Sequence, residues 1–520
     1  MSRLRDRLRF SSRTLLAMFF VGYFVVAAGW ALATPYNGAA DEMPHLIRAA
    51  GVVRGQIAPA PVDAVSGTGA YQTVPKSLVR PKCWQQQPSV PASCDHFNHD
   101  DRTPVRTPTT AGRYNPAYYA IVGLPLLIWP SMKGLLLARL IDAALVAGLL
   151  TLAFSAVLRW FTNRAGVAAV VLMTTPTVLS LAGAVNPSSV EMAAGILLFA
   201  ALIPLAHGKL AAEPRMVHYA GIASLVLLTV RAAGPLWLAA GAFALLIPNR
   251  WAHIRELLRM RTMRIWLGAL AAAGVASLAW TMSMRTLALM YIDPLSPPFT
   301  YKQALEVVVL QQWGTYLQQM VAAVSWLDVP VPTYVFAVWL VALGGLLMPA
   351  LVVGSLRDRY RIVIMVVIAW IVPTITDPAN ANLHGFPTQG RYLLPLFVGA
   401  PLLAAEILGR EGVLTAARSR TMAGWIAFVV MPVVHLTVLA ATMVRWQSGV
   451  SPDPMRPHFN PFNGVWHPEF GSVVPFVAVV LGLVAIAFAS WAATNPSSAR
   501  GDAAAETVEM PSVRAALSVA

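Results

Sequence analysis

The sequence predicts an all-α membrane protein, a polytopic bundle of about twelve transmembrane helices with helical and irregular loops on the outer side. Three observations carry this. Of 520 residues, 57% are hydrophobic and only 12% are charged, whereas soluble domains are about a quarter charged. Apolar runs near 20 residues recur along the chain, the length that crosses a bilayer as a helix. The charges that remain are mostly basic and fall in short segments between those runs. The net charge of +15 therefore reads as membrane orientation, and no nucleic-acid partner is expected.

The N-terminal "MSRLRDRLRFSSR" precedes the first apolar run and lacks a small-residue cleavage site after it. We read residues 1–13 as a cytoplasmic tail and 14–33 as a retained span. Later spans are expected near 133–158, 165–183, 188–206, 217–231, 233–248, 265–284, 331–355, 360–377, 392–408, 421–443 and 472–492. The turns "RWFTNR", "HGKLAAEPR", "NRWAHIRELLRMRTMR", "RDRYR" and "GREGVLTAARSR" all fall on one side, which the positive-inside rule makes cytoplasmic. The transmembrane domain then runs over 14–492. Its external loops lie at about 34–132, 285–330, 378–391 and 444–471, and 493–520 form a disordered cytoplasmic tail.

Two external stretches are themselves apolar. "NPAYYAIVGLPLLIWP" is too short to cross and reads as an interfacial or re-entrant segment. "YKQALEVVVLQQWGTYLQQMVAAV" reads as a helix lying on the membrane or over the bundle. The working surface is expected to face outward, because the large loops do.

Candidate chemistry sits at the outer ends of spans. In "YNGAADEMPHLIRAAGVVRGQ", consecutive Asp41 and Glu42 point about 100° apart on a helix, while Asp41, His45 and Arg48 share a face at i, i+4 and i+7. Asp41 is read as a proton acceptor or a ligand of a divalent cation. The competing reading is acids in a first helical turn, favoured there by the helix dipole. Arg231, in "LLTVRAAGPLWL", suits a phosphate through its forked donors, or a snorkelling contact with headgroups. Gln389, Arg391 and Tyr392 form a compact polar set before an apolar run. Asn186 and Glu191 flank the outer end of another span, where a glutamate wants a partner. Arg139 and Asp142, three apart in one span, are expected to pair with each other.

Cys83 and Cys94, the only cysteines, lie in the first external loop and are expected to form a disulfide. A zinc site with His96 and His99 is the lesser alternative. Aromatic residues of the last loop, Trp446, Phe459, Phe462 and Trp466 among them, suit sugar rings or the membrane interface. No P-loop, nucleophile elbow or His-Glu-x-x-His is present, so an ATP-driven mechanism has no support.

The order "DEMPHLIRAAGVVRGQ", "NPAYYAIVGLPL", "NPSSVEMAAGILLF", "TQGRYLLPL" after an N-terminal span resembles the domain-of-unknown-function family 2142, bacterial polytopic membrane proteins. The likeness covers about residues 14–445. Its plan is similar to that of the C-type (GT-C) glycosyltransferases, which use polyprenyl-phosphate sugars. The resemblance implies Asp41, with Glu42, as base or metal ligand, with Mg or Mn as the cofactor if one is used. It implies Tyr118 near a substrate cleft, Arg231 near a lipid phosphate, and Arg391 with Tyr392 as the family's "GRY" element. The function it implies is inverting transfer of a sugar from a polyprenyl-phosphate lipid to an envelope glycan or glycolipid, at the outer face of a bacterial plasma membrane. The alternatives are a transporter or flippase, or a non-catalytic protein that binds lipid-linked glycan or scaffolds the envelope.

Overall fold

The computed structural model describes residues 10–61, 69–80, 83–94, 100–208, 213–246, 249, 251–287, 296–451, 453 and 458–495. Residues 1–9 of the expected tail 1–13, residues 496–520 of the expected tail 493–520, and His96 and His99 lie outside the described residues. All twelve apolar regions are helical where described. Nine of these helices are long and apolar enough to cross a membrane, ten if the bent pair Thr162–Met173 and Pro176–Ala182 counts as one span. Two fall short: Pro214–Val230 has 17 residues and Gly234–Leu246 has 13. At about 1.5 Å per residue, the second rises some 20 Å against a core of about 30 Å.

The breaks have identifiable causes. Pro176 cannot continue the preceding helix, and the axis turns by 65° there. Side chains take the freed backbone groups: His435 Nε2 lies 2.9 Å from the Thr174 carbonyl. The Thr175 hydroxyl donates to Met320 O at 2.6 Å and so ties the break to the helix Trp313–Ala322. In lipid such compensation is what permits a broken helix. Arg231 sits in extended backbone between the two short helices, with Pro235 at the start of the second.

Close helix packing uses small residues. A Cβ at Gly22 would lie 3.1 Å from Gly482 O, and one at Gly29 would lie 2.9 Å from Pro475 O. These positions let Ser12–Ala33 run against Val473–Ala493 with backbones nearly touching.

One end of the bundle carries long folded segments and the other mostly short turns. The first long segment is more ordered than its composition implies. Its helix Glu42–Val52 is largely buried. A ribbon follows, β1 (Ala70–Pro75) antiparallel to β2 (Pro104–Thr109), with Ala70 opposite Thr109 and Pro75 opposite Pro104. Strands were not expected, since only six residues a side alternate. Cys83 and Cys94 are joined as a disulfide, as expected. Helices Pro116–Val122 and Leu124–Ile128 expose Ile121, Leu124, Leu127 and Ile128, in keeping with an interfacial segment. The helical stretch from Tyr301 to Ala322 lies over the bundle: Gly390 leaves no room for a Cβ beside Tyr316 O. The helix Leu356–His384 continues seven residues past the expected end of its span at 377.

Two buried arginines clamp this end. Arg139 makes a two-bond pair with Glu42, both bonds 2.7 Å, and donates to the carbonyls of Ala31, Thr34 and Pro35. The expected Arg139–Asp142 pair is not formed. Asp142 instead accepts from the hydroxyls of Tyr118 at 2.8 Å and Ser189 at 2.7 Å. The reason is geometric: the Glu42–Val52 helix descends into the bundle and brings a carboxylate with two bonding oxygens to the guanidinium fork. Arg445 similarly holds Asp328 and the carbonyls of Trp84, Gln87 and Val90.

Glu42→Gln is expected to destabilise the protein by about 3–5 kcal/mol, because it leaves the Arg139 charge buried without its counter-ion. Thermal unfolding of the purified variant checks this; an unchanged midpoint would show that the pair does not hold the first segment in place.

Candidate functional site

Asp41 precedes the Glu42–Val52 helix in the left-handed conformation, φ 63° and ψ 7°. Asp tolerates this region better than most residues. Asp41 is the N-cap and Glu42 is in the first turn, where the helix dipole favours acids, yet the Asp41 carboxylate makes no cap hydrogen bond. Instead Oδ2 accepts from Arg391 Nη2 at 2.7 Å. The Asp41 side chain keeps 43% of its surface accessible, yet it lies deep among surrounding atoms. That combination marks a group facing a cleft rather than open solvent. Burial pushes its pKa up, but the charge and hydrogen bond of Arg391, with His45 and Arg231 beside it, outweigh this and hold it below the usual carboxylate range.

The two adjacent acids thus part company. Glu42 is fully buried and committed to Arg139, so it is removed from the expected catalytic pair. Asp41 alone turns toward the cluster contributed by distant helices.

Arg391 is 1% exposed and starts the helix Gly390–Phe397. Its Nη2 also lies 3.0 Å from the Tyr392 hydroxyl, while Nε and Nη1 are buried without a partner. Two guanidiniums flank Tyr392, with Arg391 5.0 Å and Arg231 4.5 Å from its ring centre, within cation–π range. Arg231 donates to Ser188 Oγ, and its Nε lies 3.5 Å from Glu191 Oε2. The second Glu191 oxygen is buried without a partner.

A cavity of about 330 Å³ opens beside this cluster, with Glu191, Arg231, Tyr392, Thr229, Trp237 and Trp280 in its wall. Thus Arg231, Tyr392 and Glu191 line the cavity directly, and Arg391 and Asp41 connect to it through the Arg391–Tyr392 contact. The break after Val230 places Arg231 and the backbone of Ala232 and Ala233 in the wall. The rest is largely apolar, including Leu236, Val372 and Pro373. Leu236 is itself exposed on the bundle surface, as is most of the neighbouring helix Arg261–Met284.

The other expected site residues have structural partners. His45 Nδ1 lies 2.8 Å from the Tyr119 hydroxyl. Arg48 shares the face predicted for it but points to backbone, donating to the carbonyls of Gln56, Ile57 and Tyr114. Tyr118 is turned to Asp142 rather than to the cavity. Asn186 caps the helix Pro187–Ala206 and holds Ala40 O at 2.9 Å. Gln389 precedes the Gly390–Phe397 helix, and its Oε1 is buried without a partner.

Sequence reasoning passed over Ser188, Tyr114, Trp280 and Asp377. Asp377, near the cavity, accepts from the hydroxyls of Thr388 at 2.8 Å and Tyr316 at 3.1 Å. A lone acid at the end of an apolar run, in "PTITDP", was its available signal. Ser188 and Trp280 carry none.

The donor set does not suit a divalent cation. Among the described residues no three His, Cys, Asp or Glu side chains gather. Asp41 faces two guanidiniums, and its neighbour Glu42 is held elsewhere. A divalent ion would be a third cation there and would be repelled. Zinc on the cysteines is also excluded, because both sulfurs are in the disulfide.

His45 yields a pH prediction. Burial pushes its pKa down to about 3, so it is neutral in the folded protein at neutral pH. The unfolded imidazole titrates near 6.5. Between these values the unfolded state binds a proton that the folded state does not, so stability falls as pH drops from about 6.5 toward 3. His45→Gln is expected to flatten that part of the pH–stability curve in thermal unfolding. An equally steep curve would assign the acid loss to other groups.

A search of curated proteins finds no match to this chain. Among solved structures, ArnT from Cupriavidus metallidurans bound to undecaprenyl phosphate shares 12% identity at a TM-score of 0.41, covering 95% of this chain and 78% of that one. The same protein in the apo state gives 12% and 0.40, covering 92% and 76%. The model of the predicted membrane protein family DUF2142 matches residues 24–400, a span that includes Asp41, Glu191, Arg231 and Arg391. This chain belongs to that family, DUF2142.

Proposed function

We propose that the protein is a membrane glycosyltransferase that moves a sugar from a polyprenyl-phosphate donor to an envelope glycan or glycolipid acceptor. The observation that carries this reading is the buried Arg391, with two unfilled donors, bonded to an acid and to Tyr392, which lines a largely apolar cavity. Buried unfilled guanidinium donors are costly unless a ligand fills them. A ligand that joins an anion to an apolar tail suits such a place, and a lipid phosphate is one. The family resemblance points to the same donor class.

In this reading Arg391 and Arg231 hold the phosphate and stabilise the charge that develops on it as it leaves. Asp41 takes the proton of the acceptor hydroxyl. The acceptor oxygen attacks the anomeric carbon opposite the phosphate, the bond from that carbon to the phosphate oxygen breaks, and the configuration inverts. Polyprenyl phosphate departs with the electron pair, and the proton rests on Asp41. Tyr392, within cation–π range of both guanidiniums, helps to hold them in place. The loop-rich end faces the outside of a bacterial plasma membrane. Support for this comes from the arginines in the opposite turns, including Arg159, Arg164, Arg359 and Arg410.

The test compares wild type, Asp41→Asn and Arg231→Ala for binding and transfer with polyprenyl-phosphate sugars. Asp41→Asn is expected to lose about 10²–10⁴-fold in turnover while it still binds the donor. Arg231→Ala is expected to weaken donor binding about tenfold or more. Full transfer by Asp41→Asn would remove its role as base, and retained binding without transfer in the wild type would favour a glycan-lipid binder over an enzyme.

A further inference from the structure

Arg391 carries its hydrogen bonds in a pattern that a bound phosphate would have to break. A guanidinium offers two edges that can give an anion two parallel bonds, Nε with Nη2 and Nη1 with Nη2. Both edges use Nη2. In this structure Nη2 is the engaged nitrogen, facing Asp41 Oδ2 at 2.7 Å and the Tyr392 hydroxyl at 3.0 Å. The two empty donors, Nε and Nη1, lie on different edges. No anion can therefore take a two-bond seat on Arg391 without displacing one of these two groups.

We propose, resting on the lipid-phosphate reading above, that Asp41 is an internal anion seated where the donor phosphate binds, and that the phosphate displaces it. Three observations select Asp41 over Tyr392 as the displaced group. The Tyr392 ring lies within cation–π range of both Arg231 and Arg391 and forms part of the cavity wall. The Asp41 side chain is 43% accessible and has room to turn away. A phosphate and the Asp41 carboxylate on one guanidinium also repel each other, whereas the neutral phenol does not.

The charges around Asp41 allow the exchange. His45 lies on its own helix, and Tyr119 and Tyr114 come from the segment after the β-ribbon. Arg231 comes from the helix break with Glu191 as its counter-ion, and Arg391 and Tyr392 come from Gly390–Phe397. Glu42, one residue away, is committed to Arg139, so the backbone of Asp41 stays anchored while its side chain turns. The consequence is an order of events. Asp41 is bound to Arg391 until the donor arrives, and only then is it free to take a proton from the acceptor.

The experiment measures binding of a polyprenyl monophosphate, the corresponding polyprenol and inorganic phosphate to the purified full chain. Wild type is compared with Asp41→Asn, Asp41→Ser and Tyr392→Phe, each checked for folding by thermal unfolding. Removing the Asp41 charge is expected to tighten polyprenyl monophosphate binding about tenfold, the effect of losing one charge-assisted competitor, with polyprenol binding unchanged. Tyr392→Phe is expected to give no gain. Inorganic phosphate tightened to the same degree would show that the head alone is recognised; no phosphate binding but tight lipid binding would show that the tail is required. Both outcomes keep the displacement. Unchanged or weaker lipid binding in both Asp41 variants, or a gain in Tyr392→Phe alone, would overturn it while leaving the lipid-phosphate reading in place. Failure of every form, wild type included, to bind the lipid phosphate would remove that reading and this inference together.

Discussion

The pair between Glu42 and Arg139 is the constraint on which the loop-rich end depends. Arg139 is buried in the bundle, and it reaches the Ala31 carbonyl at the end of the first span together with a carboxylate and two carbonyls of the segment that follows it. Neither ion of such a pair is stable there alone, since a charge moved out of water costs far more than one bond returns. The segment is therefore fixed to the bundle, and residue 41 is fixed with it. The left-handed backbone at Asp41 is tolerable because the next residue is locked.

With Glu42 held, the neighbouring side chain points elsewhere, and elsewhere is a second charge layer. Arg391 pairs with Asp41 and Arg231 with Glu191, and both guanidiniums lie near the Tyr392 ring. The two guanidiniums are balanced by two carboxylates, which keeps a buried cluster near neutrality without a ligand. Balance is incomplete at the level of hydrogen bonds, since Arg391 and Glu191 keep unfilled atoms. A cluster neutral in charge but short of partners is poised to receive a polar group. The apolar remainder of the wall, beside the exposed helix Arg261–Met284, gives that group a hydrophobic neighbour.

Proline and glycine place this cluster as much as the charges do. The short helices around Arg231 end within the apolar layer, which leaves a guanidinium and open backbone at the cavity. Gly390 lets Arg391 start its helix directly under the Tyr301–Ala322 stretch, where a Cβ would overlap Tyr316 O. Ordinary residues at these points would lengthen or separate the helices and move the arginines away from Tyr392.

The sequence by itself determined the membrane class and the location of all twelve helical regions, because hydropathy is a local property and helices satisfy their own backbone in lipid. It also determined that the two cysteines would join, but not the second buried charge cluster at the opposite end, where Asp358 meets His207, Arg361 and Arg410. Within the site it singled out Asp41, Glu191, Arg231, Arg391 and Tyr392 from charge in apolar surroundings. It could not apportion partners. Arg139 and Asp142 are three residues apart and suit each other, yet each bonds to groups some tens to about a hundred residues away. Asp41 and Glu42 are adjacent and chemically alike, and only the tertiary structure separates a structural ion from a candidate base. Arg48, Tyr118 and Asn186 carry the right chemistry on the right segment but face backbone or buried acid. The physical reason is that a charge in a membrane protein must find a counter-ion or donor set. Helix packing decides which one lies within 3 Å, and sequence neighbours on a helix have no privilege in that choice.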